Sequence, residues 1–511
     1  MSPLLGLPRA TAAAVLAGVA MWLAFAPVAF GPYAVAGVAL LTVAVWGGSA
    51  RRGAGLGLLA GLLFFGLLLG WMRVIGWDAW LLLAVFWSLW FAFVGLGTAL
   101  VTRLPGAPVW VASVWVLQEA LRARIPFGGF PWGDLAFAQP DTPFARLAPL
   151  GGSPFVTFGV AFVGAAIVTL VLDHRAGRKR LAVGWFAAAS ALTLLPLALP
   201  VQVGGDSVGG PPTAVVAVVQ GGTPQVGMGA MDVRRAVLDN HVAQTLDLAS
   251  AVSEGRAAQP DFVLWPENAS DIDPFTDASA AEAITAAARA VGAPILVGAV
   301  ISVPDDPQGV WNVGIVWDPV AGPTQMYIKT HPVPFGEYIP LRDFLAEHIA
   351  RFDRIPRDFR AGTDPGNLTI GGVPIGNVIC FEIAYGDVVS AVIDGGARLI
   401  TVQTNNATYG GTPQPEQQLA IERLRAIEFG RTVTVAATSG ISAVIDASGS
   451  LTERMDESEV GWRVAEVALR GSNTPAATIG RGVELALCLI GLGALVASLV
   501  QSVRRRRPPI A

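Results

Sequence analysis

Three residues that together could carry out nucleophilic acyl chemistry each follow an apolar, strand-like run. Glu267 stands in "VLWPENAS", Lys329 in "YIKTHPVPFGEYIP" and Cys380 in "GNVICFEIAYGD". The attacking form of a cysteine is the thiolate, so the thiol needs a base to take its proton. A cation must also hold the charge that develops on the substrate oxygen. The glutamate, the lysine and the cysteine could supply these three roles.

Each of these residues also has a structural interpretation when it is taken alone. Glu267 could cap a helix, Lys329 could be a solvated surface charge, and Cys380 could be a small buried hydrophobe. An acid at a strand end in low dielectric is expected to have a raised pKa, which suits a general base. His331 is the histidine nearest to a motif and remains an alternative base. Cys488 lies in an apolar run and is expected to be inert.

The composition favours a membrane protein. Hydrophobic residues make up 53% of the 511-residue chain and charged residues only 14%, whereas ordinary soluble domains carry about 25% charged residues. The net charge of −4 argues against a nucleic-acid partner. The cysteines and histidines show no metal-ligand spacing, so we expect no metal site.

Long apolar runs predict a polytopic helical membrane domain over residues 1–203 and a last transmembrane helix at 480–503, followed by a basic tail at 504–511. A bilayer crossing takes about 20 apolar residues. The predicted spans lie near residues 10–30, 32–49, 54–72, 79–101, 107–121, 152–173, 181–200 and 482–502. The fifth span is short and contains Glu119.

Basic residues predict the orientation, because cytoplasmic loops are enriched in lysine and arginine. With eight spans, one side collects Arg51 and Arg52, Arg103, residues 174–180 and Arg504 to Arg507. Both termini are then cytoplasmic. Arg122 and Arg124 fall on the opposite side, where they either line a site that faces the membrane or indicate an error in the fifth span.

A Gly/Pro-rich linker precedes residues 212–475, which are predicted to form an extracytoplasmic α/β domain. Apolar β-rich runs recur there, with helical patterns at 231–253, 279–291 and 414–430. Such a pattern predicts sheets covered by helices. Residues 341–356 place Leu341, Phe344, Leu345, Ile349 and Phe352 on one helical stripe. This stripe is either an interfacial arm over the active site or a helix packed on the domain core.

The segments "WPEN", "IKTHPVPFGE" and "VICFE" resemble the nitrilase, or carbon-nitrogen hydrolase, superfamily, whose fold is an αββα sandwich. Fusion to seven amino-terminal spans and one carboxy-terminal span resembles its membrane-embedded apolipoprotein N-acyltransferase family. The segment around "VPFGE" is the most specific match, and the resemblance implies functional roles for Lys329 and Glu337. Phe381 and Glu382 stand where the family has an aromatic–glutamate pair, and Tyr409 lies in the matching segment "TNNATYG". The loop "GGFPWGDLAFAQ" at 128–139 also matches.

The resemblance implies an acyltransferase of the bacterial cytoplasmic membrane that needs no cofactor. Its donor would be a phospholipid, and its acceptor the α-amine of the diacylglyceryl-cysteine at the start of a prolipoprotein. A thioester on Cys380 would connect two half-reactions, with Glu267 as base and Lys329 as oxyanion donor. Two alternatives stay open: a membrane-tethered amide hydrolase of nitrilase type, and a non-catalytic membrane scaffold for a partner enzyme.

Overall fold

The computed structural model describes residues 3–198, 212–225, 227–229, 233, 235–345 and 356–504. The chain divides into two compact units. One comprises Met1–Val201 together with Thr474–Ala511 and is helical; the other comprises Gln202–Asn473 and contains the sheets. Most of the predicted linker at 204–213 lies outside the described residues.

The helical unit consists of long apolar helices joined by short connections. Its helices are α1 (Leu7–Leu23), α2 (Pro32–Val45), α3 (Ala50–Leu68), α4 (Trp77–Val101), α5 (Ala107–Arg122), α6 (Ala148–Arg175), α7 (Lys179–Ala198) and, at the end of the chain, α13 (Pro475–Arg504). Several begin with a proline in the first turn, where the missing N–H has no intrahelical partner to lose. Helices α3 and α4 can approach closely because Gly57 has no side chain. A Cβ at this position would lie only 2.1 Å from the backbone oxygen of Phe91.

Five helices of the described residues are long and apolar enough to cross a membrane. They are Ala50–Leu68, Trp77–Val101, Pro143–Arg175, Lys179–Ala198 and Pro475–Ser502. Leu7–Leu23 and Pro32–Val45 are apolar but shorter, and α5 has 16 residues. The predicted apolar helical region is therefore confirmed, whereas the count of eight crossings stays a prediction.

The polar residues of the predicted fifth span have partners within the helical unit. Glu119 accepts hydrogen bonds from the Thr157 hydroxyl at 2.7 Å and from the backbone N–H of Leu135 at 2.9 Å. These bonds satisfy a carboxyl group that is 6% exposed, which is costly to bury alone.

The two arginines that conflict with the predicted orientation are also paired. Arg122 is buried and forms an ion pair with Asp134. Arg124 Nη2 lies 2.7 Å from Glu484 Oε2 on α13. Each guanidinium group thus has a carboxylate of the same unit beside it, so the charge of each arginine is paired.

Seven strands form the first sheet of the α/β unit: β1 (Thr213–Gln220), β2 (Phe262–Leu264), β3 (Ile295–Val303), β4 (Asp306–Asp318), β5 (Gly322–Ile328), β6 (Asp358–Phe359) and β13 (Gly461–Ala468). Their order is β13-β1-β2-β3-β4-β5, with β6 added beside β4. Strands β1, β2 and β3 are parallel, and β4 and β5 follow as antiparallel neighbours.

Six strands form the second sheet, in the order β12-β11-β10-β9-β8-β7. They are β7 (Asn367–Ile370), β8 (Val373–Ile379), β9 (Leu399–Thr404), β10 (Val433–Ala437), β11 (Ser442–Ile445) and β12 (Leu451–Met455). Strands β8, β9 and β10 are parallel and buried along their whole length, apart from Pro374. Continuous apolar runs of this kind are typical of parallel strands with both faces covered.

The helices of this unit are α8 (Ala236–Ser253), α9 (Ala278–Val291), α10 (Arg342–Leu345), α11 (Gly386–Asp394) and α12 (Gln414–Phe429). Helices α8 and α9 share an apolar core with the first sheet. A second core joins the two sheets, with Leu264 on one side and Ile375 on the other. Helix α11 packs on β8 where Gly376 leaves room, since a Cβ there would lie 2.6 Å from Val392. These contacts make four layers, helix–sheet–sheet–helix.

Two helical predictions differ from the structure in extent. The helix predicted to start at residue 231 begins at Ala236, because Arg235 before it has a left-handed backbone (φ 69°). Of the predicted segment 341–356, Leu341 and the short helix α10 precede a gap, because residues 346–355 lie outside the described residues. Whether that segment is an arm or a core helix therefore stays open.

Candidate active site

Glu267, Lys329 and Cys380 all lie just beyond the carboxyl ends of strands. Glu267 follows β2, Lys329 follows β5 and Cys380 follows β8. Because β4 is antiparallel to both β3 and β5, β5 runs in the same direction as β2 and β3. The carboxylate and the ammonium group therefore reach the same edge of the first sheet, and the thiol comes from the second sheet.

Cys380 occupies a strained turn. Its backbone is left-handed (φ 55°), which an L-residue with a side chain rarely adopts. The extended strand β8 ends at Ile379, and a 3₁₀ turn over Cys380–Ala384 follows at once. This abrupt change of direction takes the thiol out of the sheet, and the residue remains partly exposed while β8 is buried.

Lys329 and two glutamates form a buried ion-pair cluster. Lys329 Nζ lies 3.2 Å from Glu267 Oε1 and 2.9 Å from Glu337 Oε1. Asn312, from the middle of β4, donates its Nδ2 hydrogens to the same two oxygens at 2.6 and 2.9 Å. Glu337 Oε2 accepts the backbone N–H of Val333 at 2.6 Å and so closes the loop that follows Lys329.

The backbone amide of Asn405 connects the carboxylate of Glu267 to the sulfur of Cys380. Its backbone N–H donates to Glu267 Oε2 at 2.9 Å and also interacts with the cysteine sulfur. The hydroxyl of Thr404 lies 3.3 Å from Sγ. The thiol, the carboxylate and the ammonium group thus lie in one cluster, and their catalytic roles stay a prediction.

The protonation states in this cluster follow from burial and from the neighbouring charges. Burial, aided by the charge of Glu267, raises the pKa of Cys380 to about 12. Burial also raises the pKa of Glu267, and Glu337 adds to the rise while Lys329 opposes it. Burial alone would lower the pKa of Lys329, but the carboxylates of Glu267 and Glu337 outweigh it and raise that pKa well above its usual value. The site at rest therefore holds a protonated thiol beside a charged lysine, and it needs a base.

Glu382 does not point at the thiol but fixes the segments on either side of it. The residue is fully buried. Its carboxylate accepts the backbone N–H groups of Thr330, His331 and Ile379 at 2.8, 3.0 and 2.8 Å. The hydroxyl of Tyr327 donates to it at 2.9 Å. The turn of Cys380 and the segment after Lys329 are thereby joined through one carboxylate.

The remaining predicted residues surround this cluster. Phe381 packs edge-on against Tyr385, with ring centroids 5.3 Å apart. The ring centroids of His331 and Tyr385 lie 4.8 Å apart. Nδ1 of His331 is 3.0 Å from the Thr330 hydroxyl. Burial raises the pKa of Tyr409, and electrostatic interactions with Cys380, Glu337 and Glu267 add to the rise.

Sequence reasoning missed the polar residues that hold the cluster together, namely Asn312, Thr404 and Asn405. Asn312 is a polar residue between apolar neighbours in the run "WNVGIVWD", and that position in the sequence is a signal that could have been used. The structure buries it to 2% exposure. Thr404 and Asn405 lie in "TNNATYG", directly after the apolar run of β9. A polar pair at the end of a buried strand belongs to the same pattern as Glu267 and Cys380.

Comparison with known families agrees with this geometry. Residues 17–166 match the family model of the apolipoprotein N-acyltransferase N-terminal domain, and residues 215–473 match the carbon-nitrogen hydrolase model. A Mycolicibacterium smegmatis protein named apolipoprotein N-acyltransferase is 39% identical over 96% of this chain and 85% of its own length. The chain belongs to the apolipoprotein N-acyltransferase family. The predicted resemblance is thus confirmed.

More distant members of the apolipoprotein N-acyltransferase family align as well. Proteins of that name from Pseudomonas syringae and Pasteurella multocida are 30% and 28% identical over 71% and 75% of this chain, and over 69% and 74% of their own lengths. Membership in this family and the five apolar helices together indicate a protein of the bacterial inner membrane. The α/β unit carries the carbon-nitrogen hydrolase fold.

Proposed function

We propose that this protein transfers an acyl chain from a membrane phospholipid to the α-amine of the diacylglyceryl-cysteine of a bacterial lipoprotein. A thioester on Cys380 links the two half-reactions. The observation that carries this proposal is the cluster in which Asn405 N–H lies between Glu267 and the sulfur, with Lys329 Nζ 3.2 Å from the same carboxylate. Family membership supports the choice of substrates.

In the first half-reaction, Glu267 takes the proton of the Cys380 thiol while Sγ forms a bond to the ester carbonyl carbon. The carbonyl oxygen becomes an oxyanion, which Lys329 and a backbone N–H after the cysteine stabilise. The bond between the carbonyl carbon and the glycerol oxygen then breaks. The glycerol oxygen takes the proton from Glu267 and leaves as part of a lysophospholipid, so the acyl group stays on sulfur.

In the second half-reaction, the α-amine of the lipoprotein attacks the thioester carbonyl. Glu267 takes a proton from the attacking nitrogen, the C–S bond breaks, and the sulfur regains its proton. The product is an amide, which is more stable than a thioester, so this step is downhill. Because the first product leaves before the acceptor reacts, we expect ping-pong kinetics.

The phospholipid donor requires the site to lie at the level of the lipid headgroups. We propose eight spans, with both termini in the cytoplasm and the α/β unit on the extracytoplasmic face. The distribution of basic residues supports this orientation. Arg122 and Arg124 are the two arginines that this orientation places on the extracytoplasmic side. Their pairing with Asp134 and Glu484 supports the orientation too, because each positive charge has a carboxylate beside it.

Intact-protein mass spectrometry of the purified full chain tests the function. After incubation with a defined phospholipid, we expect a gain of one acyl mass that hydroxylamine removes. Cys380→Ser should show no hydroxylamine-sensitive adduct, and a Cys488→Ala variant should behave as the wild type. A diacylated lipopeptide should then discharge the adduct and gain the same mass. Release of free fatty acid with no acylated lipopeptide would instead indicate a hydrolase.

A further inference from the structure

The hydroxyl of Thr404 contacts the reacting sulfur directly. Its Oγ1 lies 3.3 Å from Cys380 Sγ, and the residue is 1% exposed. A hydroxyl has one proton to donate. A second acceptor near Thr404 Oγ1 is Asn406 Oδ1, at 3.4 Å, which is long for an O–H···O bond. The hydroxyl proton is therefore directed at the sulfur.

The side chain of Gln418 on α12 fixes this direction. Its Nε2 donates to Thr404 Oγ1 at 3.0 Å and to Glu422 Oε1 at 2.9 Å. Its Oε1 accepts from Asn406 Nδ2 at 3.0 Å and from Gln414 Nε2 at 3.3 Å. In this orientation both contacts of Gln418 Nε2 are to oxygen atoms and both contacts of its Oε1 are from amide donors. Thr404 Oγ1 accepts from Gln418 and has its own proton for another acceptor.

We propose that Thr404 is a catalytic residue whose hydroxyl donates to the sulfur of Cys380 as the thiolate forms, with Gln418 as the residue that positions it. This assignment extends the proposed acyl transfer. A thiol sulfur is a weak acceptor and a thiolate a strong one. The bond therefore strengthens as charge develops on sulfur, in the attack on the donor and again when sulfur leaves the thioester, and it lowers both barriers.

Other groups among the described residues also act on the sulfur. They are the carboxylate of Glu267, the ammonium group of Lys329, the phenol of Tyr409 and the backbone N–H of Asn405. Glu267 accepts the proton, and Lys329 is paired with two carboxylates. The Asn405 N–H is shared with Glu267. All four stay unchanged in the experiment that follows.

Alkylation of Cys380 by iodoacetamide tests the hydrogen bond without any lipid. In a Cys488→Ala background Cys380 is the sole thiol of the chain, and intact mass gives the rate. Thr404→Val keeps the shape and removes the donor. We expect its rate near neutral pH to fall about three- to tenfold, because a thiol pKa about one unit higher reduces the thiolate fraction but makes each thiolate more nucleophilic. Thr404→Ser should restore the rate.

Thr401→Val is the matched control. Thr401 lies on the same strand β9 and is fully buried, but its hydroxyl donates to Asn377 Oδ1 at 3.0 Å. Equal rates in the parent and Thr404→Val would overturn the proposal, and so would an equal loss in Thr401→Val. If Thr404→Val does not fold, Thr404→Ala carries the same expectation. The two proposals can fail separately. If Thr404→Val is alkylated more slowly but the wild-type protein forms no thioester from phospholipid, the hydrogen bond is supported and the proposed acyl transfer is rejected.

Discussion

The carboxylate of Glu382 accepts the backbone N–H of Thr330 at 2.8 Å, so the turn that carries Cys380 is joined to the residue after Lys329. The same carboxylate also accepts the N–H of Ile379, on the other side of the cysteine. The nucleophile and the lysine come from different sheets. The buried carboxylate of Glu382, with several donors around it, therefore helps to fix their relative position.

Glu382→Gln should slow thioester formation at least about tenfold and lower the melting temperature, since buried hydrogen bonds to a charged group contribute about 1.5–3 kcal/mol each. A glutamine offers one acceptor oxygen and turns its NH₂ group towards the surrounding donors. Mass spectrometry of the acyl adduct and thermal unfolding measure the two effects. Glu282→Gln, an exposed change on α9, should alter neither. An unchanged rate in Glu382→Gln would refute the positioning role.

Glu337→Gln should move the acidic limb of the pH–rate profile for thioester formation to lower pH. Glu267 must be ionised to act as base, so the rate rises with pH through its pKa, which burial and Glu337 both raise. Without the Glu337 charge the pKa of Glu267 falls, by roughly one unit for a neighbouring carboxylate. The acidic limb of the profile should therefore move to lower pH together with the pKa of Glu267. A limb that stays in place or moves up would contradict the assignment of Glu267 as base.

Glu422→Gln should stabilise the protein at neutral and alkaline pH but not in acid. Burial raises the pKa of Glu422 to about 8, whereas in the unfolded chain a glutamate has a pKa of about 4.3. The folded state therefore binds the proton more tightly than the unfolded chain. The stability that this proton contributes is lost as the pH rises from the pKa of the unfolded chain to that of the folded protein. The gain in melting temperature of the variant should be small near pH 4 and grow to several degrees near pH 8. A gain that does not depend on pH would argue against this titration.

Leu341→Asp should weaken acylation from vesicles more than acylation from a soluble ester. Leu341 is 71% exposed in the segment that follows Glu337, and burying a leucine in an apolar phase is worth about 1.5–3 kcal/mol. We expect about a tenfold slower reaction with vesicles and an unchanged rate with a short-chain soluble ester. Val320→Asp is the matched control, because Val320 is 87% exposed but lies at the other end of β5 from Lys329. Equal losses in both variants would reject lipid contact by Leu341.

The sequence by itself determined the residues that carry the proposed chemistry and the ends of the strands on which they lie. Apolar runs that stop at Glu267 and Cys380 predict buried strands, since the pattern depends only on local burial. The helix predicted at 414–430 is observed at Gln414–Phe429 for the same reason. Helical periodicity and strand runs are local properties. The segments around Glu267, Lys329 and Cys380, together with the flanking apolar runs, were sufficient to indicate the family.

Only the tertiary structure decided which polar groups hold these residues in place. Asn312 comes from the middle of β4, Asn405 from the end of β9 and Gln418 from α12, and no spacing in the chain relates them to Cys380. They meet because parallel strands place distant segments side by side and because two sheets stack face to face. The raised pKa of the Cys380 thiol has the same origin, since it depends on burial and charges contributed by other strands.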